Sequence, residues 1–337
     1  MESIPVPRPP AELPTEAELM STWHGDPEKP LVTVLCMTFN HERFIRDAIH
    51  GFLIQRTTFP FHIIIHDDAS KDKTPGIVKD FEDRYPNLIS GIYQKTNLHS
   101  KGVPKHIYIH PFVKGQYVAF CEGDDYWTDP EKLAIQVAHM ERNPWAVLSI
   151  HDRDILEIRG GDDAEYFALS TVPLPWKKNF SAHELKYDFP HLPTLTRMCR
   201  IEAWKNPPPE LFRVEIGDAF QLTSLGVYGG CIYIPEIKPS VYRRHAGGVW
   251  SGSDKQTQLE MQFNCFYWLA RFFYRIGDHD CAEHWRLMAM RKMVEAWGFR
   301  FVSRFFLGLF LSRSLKSFKL RTARLLGWAD LRRRPLR

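Results

Sequence analysis

The first half of the chain alternates short apolar runs with segments of helical periodicity. Apolar, β-branched runs predict strands at 31–39, 61–68, 89–94, 116–125 and 146–152. Between these runs, apolar residues recur every three or four positions over 41–54, after Thr74 and after Thr128, which predicts amphipathic helices. Strands that alternate with helices are typical of an α/β domain with a largely parallel sheet.

Two of these helices carry signals at their starts. Thr74 is followed by Pro75, and proline favours the first turn of a helix. Thr128 and Glu131 have the spacing of a capping box, with Pro130 between them. The sequence therefore predicts one helix that begins at Thr74 and another that begins near Thr128.

The second half of the chain is less regular. Between 153 and 215 the pattern loosens, and glycine and proline clusters predict connecting, substrate-facing structure. Strand-like text returns at 231–245, and from Lys255 onward helix formers and aromatic residues predict a helical region. We therefore divide the chain into a Pro-rich N-terminal tail (1–30), an α/β domain (31–254) and a helical C-terminal region with a basic tail (255–337).

Composition narrows the class of protein. With 337 residues, 44% apolar and 25% charged, the chain is an ordinary folded protein and neither a disordered nor a fibrous one. Its six cysteines form no C-x-x-C pair, so neither a zinc ribbon nor a disulfide framework is expected, and a reducing compartment is favoured. The N-terminus lacks the basic and apolar regions of a secretory signal. We expect a cytoplasmic protein.

Positive charge is concentrated at the C-terminus, where residues 296–337 hold eleven Lys or Arg and one acid, Asp330. The apolar stretch 298–311 is interrupted by Arg300 and Arg304 and is shorter than the roughly 20 residues that span a bilayer. Two interpretations stay open: an interfacial helix on anionic lipid, or a helix docked on the α/β domain with a solvated basic tail. Nucleic acid is not the expected partner, because no recognition motif accompanies the charge.

Polar residues gather where three of the predicted strands end. They are Thr38 to Glu42 after the first strand, Asp67 and Asp68 after the second, and Glu122 to Asp125 after the fourth. Ligands of open α/β sheets bind at the carboxyl ends of the strands, so these residues are candidates for a site. Acids gathered at one edge repel one another unless a cation lies among them. We therefore expect this site to bind Mg²⁺ or Mn²⁺ together with a diphosphate-bearing substrate.

Other interpretations of these acids remain. Asp67 and Asp68 are also the residues of a capped turn before a helix. Glu122 follows an apolar run and would be costly to bury unpaired, which favours a functional role. No G-x-G-x-x-G and no G-x-x-x-x-G-K-[ST] follows the first strand, so dinucleotide-binding Rossmann and P-loop folds are not supported.

Five ordered blocks between 31 and 251 resemble the family 2 glycosyltransferases: LVTVLCMTFNHE, FHIIIHDDASKDKT, CEGDDYWTDPEKLAIQV, IGDAFQL and SVYRRHAGGVWS. The resemblance implies a GT-A-type fold, an open and mostly parallel sheet flanked by helices, followed by the helical C-terminal extension. It also implies transfer of a sugar from a nucleoside-diphosphate-sugar donor to an acceptor hydroxyl, with inversion and with a divalent cation. A saccharide or lipid-linked saccharide acceptor and surface polysaccharide or glycoconjugate synthesis, on the inner face of the cell membrane, would fit.

The resemblance also assigns roles by position. It places in the nucleotide-sugar pocket Thr38, Asn40, Glu42, Asp67, Asp68, Glu122, Asp124, Asp125 and Arg244. Asp124 and His245 would hold the metal, and Asp218 would be the general base that accepts the proton of the acceptor hydroxyl. Glu122 replaces the first Asp of the family's D-x-D motif, which leaves its role open.

Three residues also have structural explanations that need no role in catalysis or binding. Asp218 has the position to cap a helix that starts at Ala219. His245 is also explained as a loop or core histidine. The functional interpretation includes Arg243 and Arg244 beside it, which would neutralise phosphate charge. Trp127 is either a platform for a sugar face or ordinary core packing.

Two other functions compete with sugar transfer. A sugar nucleotidyltransferase needs a glycine-rich phosphate loop with a basic residue after the first strand, and MTFNHERF offers no glycine. A non-catalytic nucleotide-sugar binding protein has no need of Glu122, Asp124 and Asp218, whose presence argues against it.

Overall fold

The computed structural model describes residues 8–9, 12–98, 109–158, 169–171, 177–188, 192–245, 253–300 and 302–303. The strands are β1 Val32–Thr38, β2 Phe61–Asp67, β3 Ile89–Tyr93, β4 Tyr117–Glu122, β5 Ala146–Ile150, β6 Arg153–Glu157, β7 Leu169–Thr171, β8 Met198–Arg200, β9 Gly230–Tyr233 and β10 Ser240–Arg244. The α-helices are α1 Glu16–Met20, α2 Ile45–Leu53, α3 Thr74–Arg84, α4 Lys132–Arg142, α5 Ala182–Tyr187, α6 Ile201–Trp204, α7 Gly217–Leu225, α8 Lys255–Arg275 and α9 His279–Trp297. Short 3₁₀ turns occur at His110–Phe112, Thr194–Thr196 and Pro209–Arg213.

Seven strands form the central sheet in the order β3-β2-β1-β4-β8-β5-β9. Neighbouring strands in this sheet pair in parallel, except that β8 runs antiparallel to both β4 and β5. A second sheet has the order β10-β6-β7. The predicted fold class, a mostly parallel sheet flanked by helices with a helical C-terminal region, is confirmed.

The register of β1 decides which strand ends meet. Met37 pairs with Glu122 of β4, and Thr38 pairs with Asp67 of β2. Because the three strands are parallel, their carboxyl ends lie side by side at one edge of the sheet. The acids that are far apart in sequence are therefore neighbours in space.

Successive side chains of β1 point to opposite faces of the sheet, so alternate residues are buried in two different apolar cores. Val34 and Cys36 belong to a core shared with α2 and α3, whereas Leu35 belongs to a core shared with β5. The segment predicted as an N-terminal tail takes part in the first of these cores: Leu19 is buried there, and the ring of Trp23 lies 5.4 Å from that of Phe61.

The two predicted helix starts have different outcomes. The helix α3 begins at Thr74 with a proline in its first turn, as predicted. The helix α4 begins at Lys132, and the predicted capping box at Thr128 is wrong. The hydroxyl of Thr128 instead donates to the carbonyl of Pro239 at 2.7 Å, because the chain before β10 crosses this point and offers an unpaired acceptor.

Trp127 belongs to the core and not to a sugar-binding surface. Its side chain is fully buried, its ring lies 4.9 Å from that of Phe52, and its Nε1 donates to the carbonyl of Leu195 at 2.8 Å. The packing interpretation of this residue is the correct one.

The C-terminal helices α8 and α9 pack on each other and on α7. Phe273 and Trp285 are buried in one apolar cluster with Phe220 of α7. The guanidinium of Arg275 makes two hydrogen bonds to the carboxylate of Glu210, at 2.7 and 2.8 Å. This helical region therefore supports the helix whose first turn carries Asp218.

All six cysteines are free and buried. Among the helices that the structure describes, none combines the length and the apolar character needed to cross a membrane. Residues 304–337, which hold most of the predicted basic tail, and residues 246–252 after His245 lie outside the described residues.

Candidate active site

The turn after β4 brings the acids Glu122 to Asp125 against the end of β1. The N–H of Gly123 donates to the carbonyl of Met37 at 2.8 Å. A Cβ on Gly123 would lie 2.7 Å from the Oγ1 of Thr38 and 2.9 Å from the Cδ1 of Ile45. Only glycine allows this close approach, so Gly123 fixes where the acids on either side of it stand.

Asp124 and two histidines form the centre of the site. The Oδ2 of Asp124 lies 3.0 Å from the Nε2 of His245 and 3.7 Å from the Nε2 of His41. Burial is the largest influence on the pKa of Asp124 and raises it, but the hydrogen bond from His245 and the nearby imidazoles outweigh burial, so the pKa lies below its ordinary value. Burial lowers the pKa of His41, which favours a neutral imidazole.

Arg243 ties β10 to the acidic turn and thereby places His245, two residues further on. Its backbone N–H donates to the Oδ1 of Asp125 at 2.9 Å, and its Nη1 donates to the carbonyl of Asp124 at 2.9 Å. Its Nη2 contacts the carboxylate of Asp47 on α2. These bonds show that Arg243 holds the site together, and its contact with a phosphate stays a prediction.

Asp125 is a scaffold residue in this arrangement. It is buried, and burial together with the charges of Asp124 and Glu122 raises its pKa well above the ordinary value. Its Oδ1 accepts the backbone bond from Arg243 described above. Its predicted place in the nucleotide-sugar pocket stays a prediction.

The loop between β1 and α2 is fastened to the loop between β2 and α3. Three consecutive backbone N–H groups, of Asn40, His41 and Glu42, donate to the side chains of Ser70, Thr74 and Asp72 respectively, over 2.8 to 3.0 Å. In return, the side chains of Asn40 and Glu42 accept the backbone N–H groups of Lys71 and Lys73, both at 2.9 Å. Asn40 has a φ of 55°, a left-handed conformation that asparagine tolerates well.

Asp67 and Asp68 are buried at the end of β2 and also support loops. Both carboxylate oxygens of Asp67 accept bonds from Ser70, one from its N–H at 3.0 Å and one from its hydroxyl. Burial raises the pKa of Asp67 despite these bonds. Asp68 accepts the N–H of Leu98 at 2.7 Å. Both acids thus hold loop residues in place near the carboxyl ends of β1 and β2, where we expect the nucleotide to bind.

Glu122 lies within electrostatic range of Asp218. Burial, followed by the charges of Asp124 and Asp218, raises the pKa of Glu122 to about 7. Asp218 lies in the first turn of α7, which begins at Gly217 with Ile216 as its N-cap. The capping alternative for Asp218 is therefore wrong. Its side chain is exposed, and its carboxylate makes no hydrogen bond within the part of the chain that the structure describes.

Arg244 lies on the small sheet, where its Nη1 donates to Glu157 of β6 at 2.8 Å. The two residues are opposite each other in the register of β10 and β6. This pairing gives the guanidinium a local partner, and its predicted contact with the donor stays a prediction.

The donor set at Asp124 fits a divalent cation with few protein ligands. Among the described residues, no group of three or more His, Cys, Asp or Glu side chains converges as a complete metal site. Asp124 and His245 supply one oxygen and one nitrogen, and the acids around them supply negative charge. Mg²⁺ and Mn²⁺ commonly take one or two carboxylates and complete their coordination with water and phosphate oxygens. Asp124 and His245 would hold such an ion.

Sequence reasoning missed three residues that build the site. The sequence pattern places His41 only in the loop after β1, and it gives no role to Asp47 or Arg197. Arg197 is the clearest omission, because an arginine in the run HLPTLTRMCRI, next to a strand, would be costly to bury without partners. That cost was the signal that could have found it.

An open, mostly parallel sheet with acids at the carboxyl ends of β1, β2 and β4 defines the class: a nucleotide-sugar transferase fold of the GT-A type. Comparison with known proteins gives the family. The family model "Glycosyl transferase family 2" matches residues 33–201, and the chain belongs to this family.

Individual relatives agree with this membership. An uncharacterized protein of Mycobacterium tuberculosis, Rv1520, is 34% identical over 220 residues, which is 65% of this chain and 60% of that protein. TuaG of Bacillus subtilis, named as a teichuronic acid biosynthesis glycosyltransferase, is 31% identical over 121 residues, 36% of this chain and 44% of TuaG. The chain thus spans only about 60% of the length of its mycobacterial relatives.

A solved structure supports the fold. The mannosyltransferase PcManGT from Pyrobaculum calidifontis, crystallised in complex with GDP-Man and Mn²⁺, aligns over 91% of this chain and 84% of its own, with a TM-score of 0.51. At 15% sequence identity, this likeness speaks for the fold alone.

Proposed function

We propose that this protein transfers a sugar from a nucleoside-diphosphate-sugar to an acceptor hydroxyl with inversion at the sugar carbon. The observation that carries the proposal is the convergence of Asp124, His245 and Glu122 at the carboxyl edge of the sheet, within electrostatic range of Asp218, whose carboxylate makes no hydrogen bond among the described residues. Donor complexes of a structural neighbour, with GDP-Man and Mn²⁺, support the same class of donor.

In the proposed reaction, the nucleotide binds at the carboxyl ends of β1 and β2, beside Thr38, Asn40, Glu42, Asp67 and Asp68. Asp124 and His245 would hold Mg²⁺ or Mn²⁺. Such an ion, when bound, neutralises the charge that develops on the departing diphosphate.

The carboxylate of Asp218 accepts the proton of the acceptor hydroxyl as the oxygen attacks the sugar carbon from the face opposite the diphosphate. Because its carboxylate is exposed and carries no other hydrogen bond among the described residues, Asp218 is available for this proton. A single displacement of this kind inverts the configuration of the carbon.

The nucleotidyltransferase alternative is weakened by the β1–α2 loop. A phosphate-cradling loop needs free backbone N–H groups. Here the N–H groups of Asn40, His41 and Glu42 are already bonded to side chains of the neighbouring loop. A triphosphate would have to break those three bonds to bind there.

A screen of donor nucleotides tests the proposal. UDP-, GDP-, dTDP- and CDP-sugars are each added with MnCl₂ or with EDTA, and both the melting temperature and donor hydrolysis are measured. Because a ligand that binds only the folded state stabilises it, one nucleotide is expected to raise the melting temperature in a Mn²⁺-dependent manner. If no nucleotide does so, the proposed donor site is wrong.

We further propose that the product is a surface polysaccharide or glycoconjugate and that the enzyme works in the cytoplasm, on the inner face of the cell membrane. The TuaG relative is named for biosynthesis of a polysaccharide, teichuronic acid. The acceptor would be a saccharide or a lipid-linked saccharide, and the basic residues of 304–337 would attract an anionic lipid surface.

Vesicle co-sedimentation tests the membrane proposal. The full chain is compared with a version that ends at Ser303, on phosphatidylglycerol vesicles and on neutral phosphatidylcholine vesicles. The full chain is expected to bind the anionic vesicles at least about tenfold more tightly, since each basic residue near the surface contributes about 1 kcal/mol. Equal binding by the two versions would dismiss the proposal.

A further inference from the structure

A buried arginine, Arg197, lies within electrostatic range of both Glu122 and Asp218. Arg197 is only 7% exposed. Its Nε donates to the carbonyl of Leu192 at 2.9 Å, its Nη2 contacts the same carbonyl, and its Nη1 reaches the backbone carbonyl of Asp218 at 3.4 Å. The guanidinium therefore touches the first turn of the helix that carries the proposed base.

The charge of Arg197 has no ion-pair partner among the described residues, since its bonds go to carbonyl oxygens. A buried cation satisfied only by carbonyls is costly unless negative charge lies nearby. Asp218 and Glu122 supply that charge and are the two acids that act most strongly on Arg197. Arg197 is thus linked by charge to two acids of the candidate site.

The backbone around Arg197 is anchored to the elements that carry the acidic turn. The carbonyl of Arg197 accepts the N–H of Phe120 in β4 at 3.1 Å, two residues before Glu122. The carbonyl of Leu195 accepts the Nε1 of Trp127 at 2.8 Å. These two bonds hold the backbone around Arg197 in place, and the side chain of Arg197 links this segment to α7.

The start of α7 depends on such support. Its N-cap residue, Ile216, provides no side-chain bond to the first turn, so the usual local restraint on a helix start is missing. A planar guanidinium, with donors in a rigid fork, is suited to hold two carbonyls at a set distance.

We propose that Arg197 is a positioning residue: it holds the first turn of α7 so that the carboxylate of Asp218 faces the acceptor oxygen, opposite the metal-binding acids. The proposal rests on the proposed function, because it takes Asp218 as the base. A base works only within hydrogen-bond reach of the proton that it accepts, so a small shift of this turn lowers the rate. Arg197 itself touches neither substrate nor reacting atoms.

The first test separates positioning from general stability. Arg197→Gln and Arg197→Lys are compared with Arg200→Gln, a matched control on the same segment. Arg200 also makes three hydrogen bonds, to Ala146, Met140 and the hydroxyl of Tyr117, but away from the acids. Turnover is the release of nucleoside diphosphate from UDP-glucose, UDP-N-acetylglucosamine and GDP-mannose with MnCl₂, and melting temperatures report folding.

We expect Arg197→Gln to lower kcat by about 10- to 100-fold with an almost unchanged donor KM, because misplacement of a catalytic group affects the chemical step and not donor binding. Arg197→Lys keeps the charge but not the fork, and we expect it to recover part of the loss. Arg200→Gln is expected to lower the melting temperature without lowering kcat. If Arg200→Gln lowers kcat as much as Arg197→Gln, the role of Arg197 is merely structural.

A double-mutant cycle with Asp218→Asn is decisive. If Arg197 acts through Asp218, Arg197→Gln causes no further loss of turnover once Asp218 is replaced. An equal loss in both backgrounds would overturn the positioning role while leaving Asp218 as the base. An unchanged turnover of Asp218→Asn alone would instead remove the base, and with it this inference. Should Arg197→Gln fail to fold, the same cycle is run with Arg197→Lys.

Discussion

Replacement of Asp218 by asparagine is expected to lower kcat by about 10²- to 10⁴-fold, the contribution typical of a positioned general base. The amide cannot accept the proton of the acceptor hydroxyl, but it has nearly the same shape. Asp218 is exposed and is not the N-cap of α7, so its replacement should lower the melting temperature only slightly, through loss of the negative charge that acts on Arg197. The measurement is steady-state transfer or donor hydrolysis, with donor affinity determined separately by calorimetry.

Glu215→Gln is the matched control for this prediction. Glu215 is an exposed acid three residues earlier on the same connection, and its backbone N–H donates to Asn264 of α8. Its replacement removes the same charge from the same region and should change kcat by no more than about twofold. Equal losses in the two variants would mean that Asp218 acts only through the general negative charge of the region.

The second large effect is expected at Asp124. Asp124→Asn keeps a group that can bond to His245 but removes the carboxylate charge, so it should abolish the Mn²⁺-dependent part of nucleotide binding and lower kcat by about 100-fold or more. Calorimetry of UDP and GDP binding, with MnCl₂ and with EDTA, measures the first effect. In contrast with Asp218→Asn, this variant is expected to lose donor affinity as well as turnover.

Asp278→Asn serves as the control for Asp124→Asn. Asp278 pairs with Lys186 at 2.8 Å and caps α9, a capping role that asparagine also fills. This control should retain the full Mn²⁺ dependence. If Asp124→Asn also retained that dependence, Asp124 would not be a metal ligand and the proposed donor geometry would need to be abandoned.

The candidate site could be located from the sequence because the carboxyl ends of neighbouring parallel strands lie at the same edge of a sheet. Once β1, β2 and β4 are recognised as neighbouring parallel strands, Thr38, Asp67 and Glu122 must share one edge, as the register confirms. The prediction needed only strand periodicity and the position of each acid at the end of an apolar run. The proximity of His245 to Asp124 came instead from the family resemblance, and the structure confirms that the two residues meet.

Other features could not be predicted because their partners are distant in sequence. The contact of Arg243 with Asp47 joins residues 196 positions apart. Trp127 had two open interpretations. The structure decides for packing, because its Nε1 donates to the carbonyl of Leu195, 68 positions away. Thr128 had a plausible local partner in Glu131, but the carbonyl of Pro239, 111 residues away, takes its hydroxyl instead.

The sequence by itself determined the α/β class, the strand ends that carry the acids and the helical character of the C-terminal region, because periodicity and local turn chemistry are written in consecutive residues. Only the tertiary structure decided what each polar side chain does there. It showed that Asn40 and Glu42 bond a neighbouring loop, that Asp125 anchors β10 and that Arg197 reaches α7. A polar side chain's role depends on which donors and acceptors packing brings within about 3 Å, and that is a property of the folded chain as a whole.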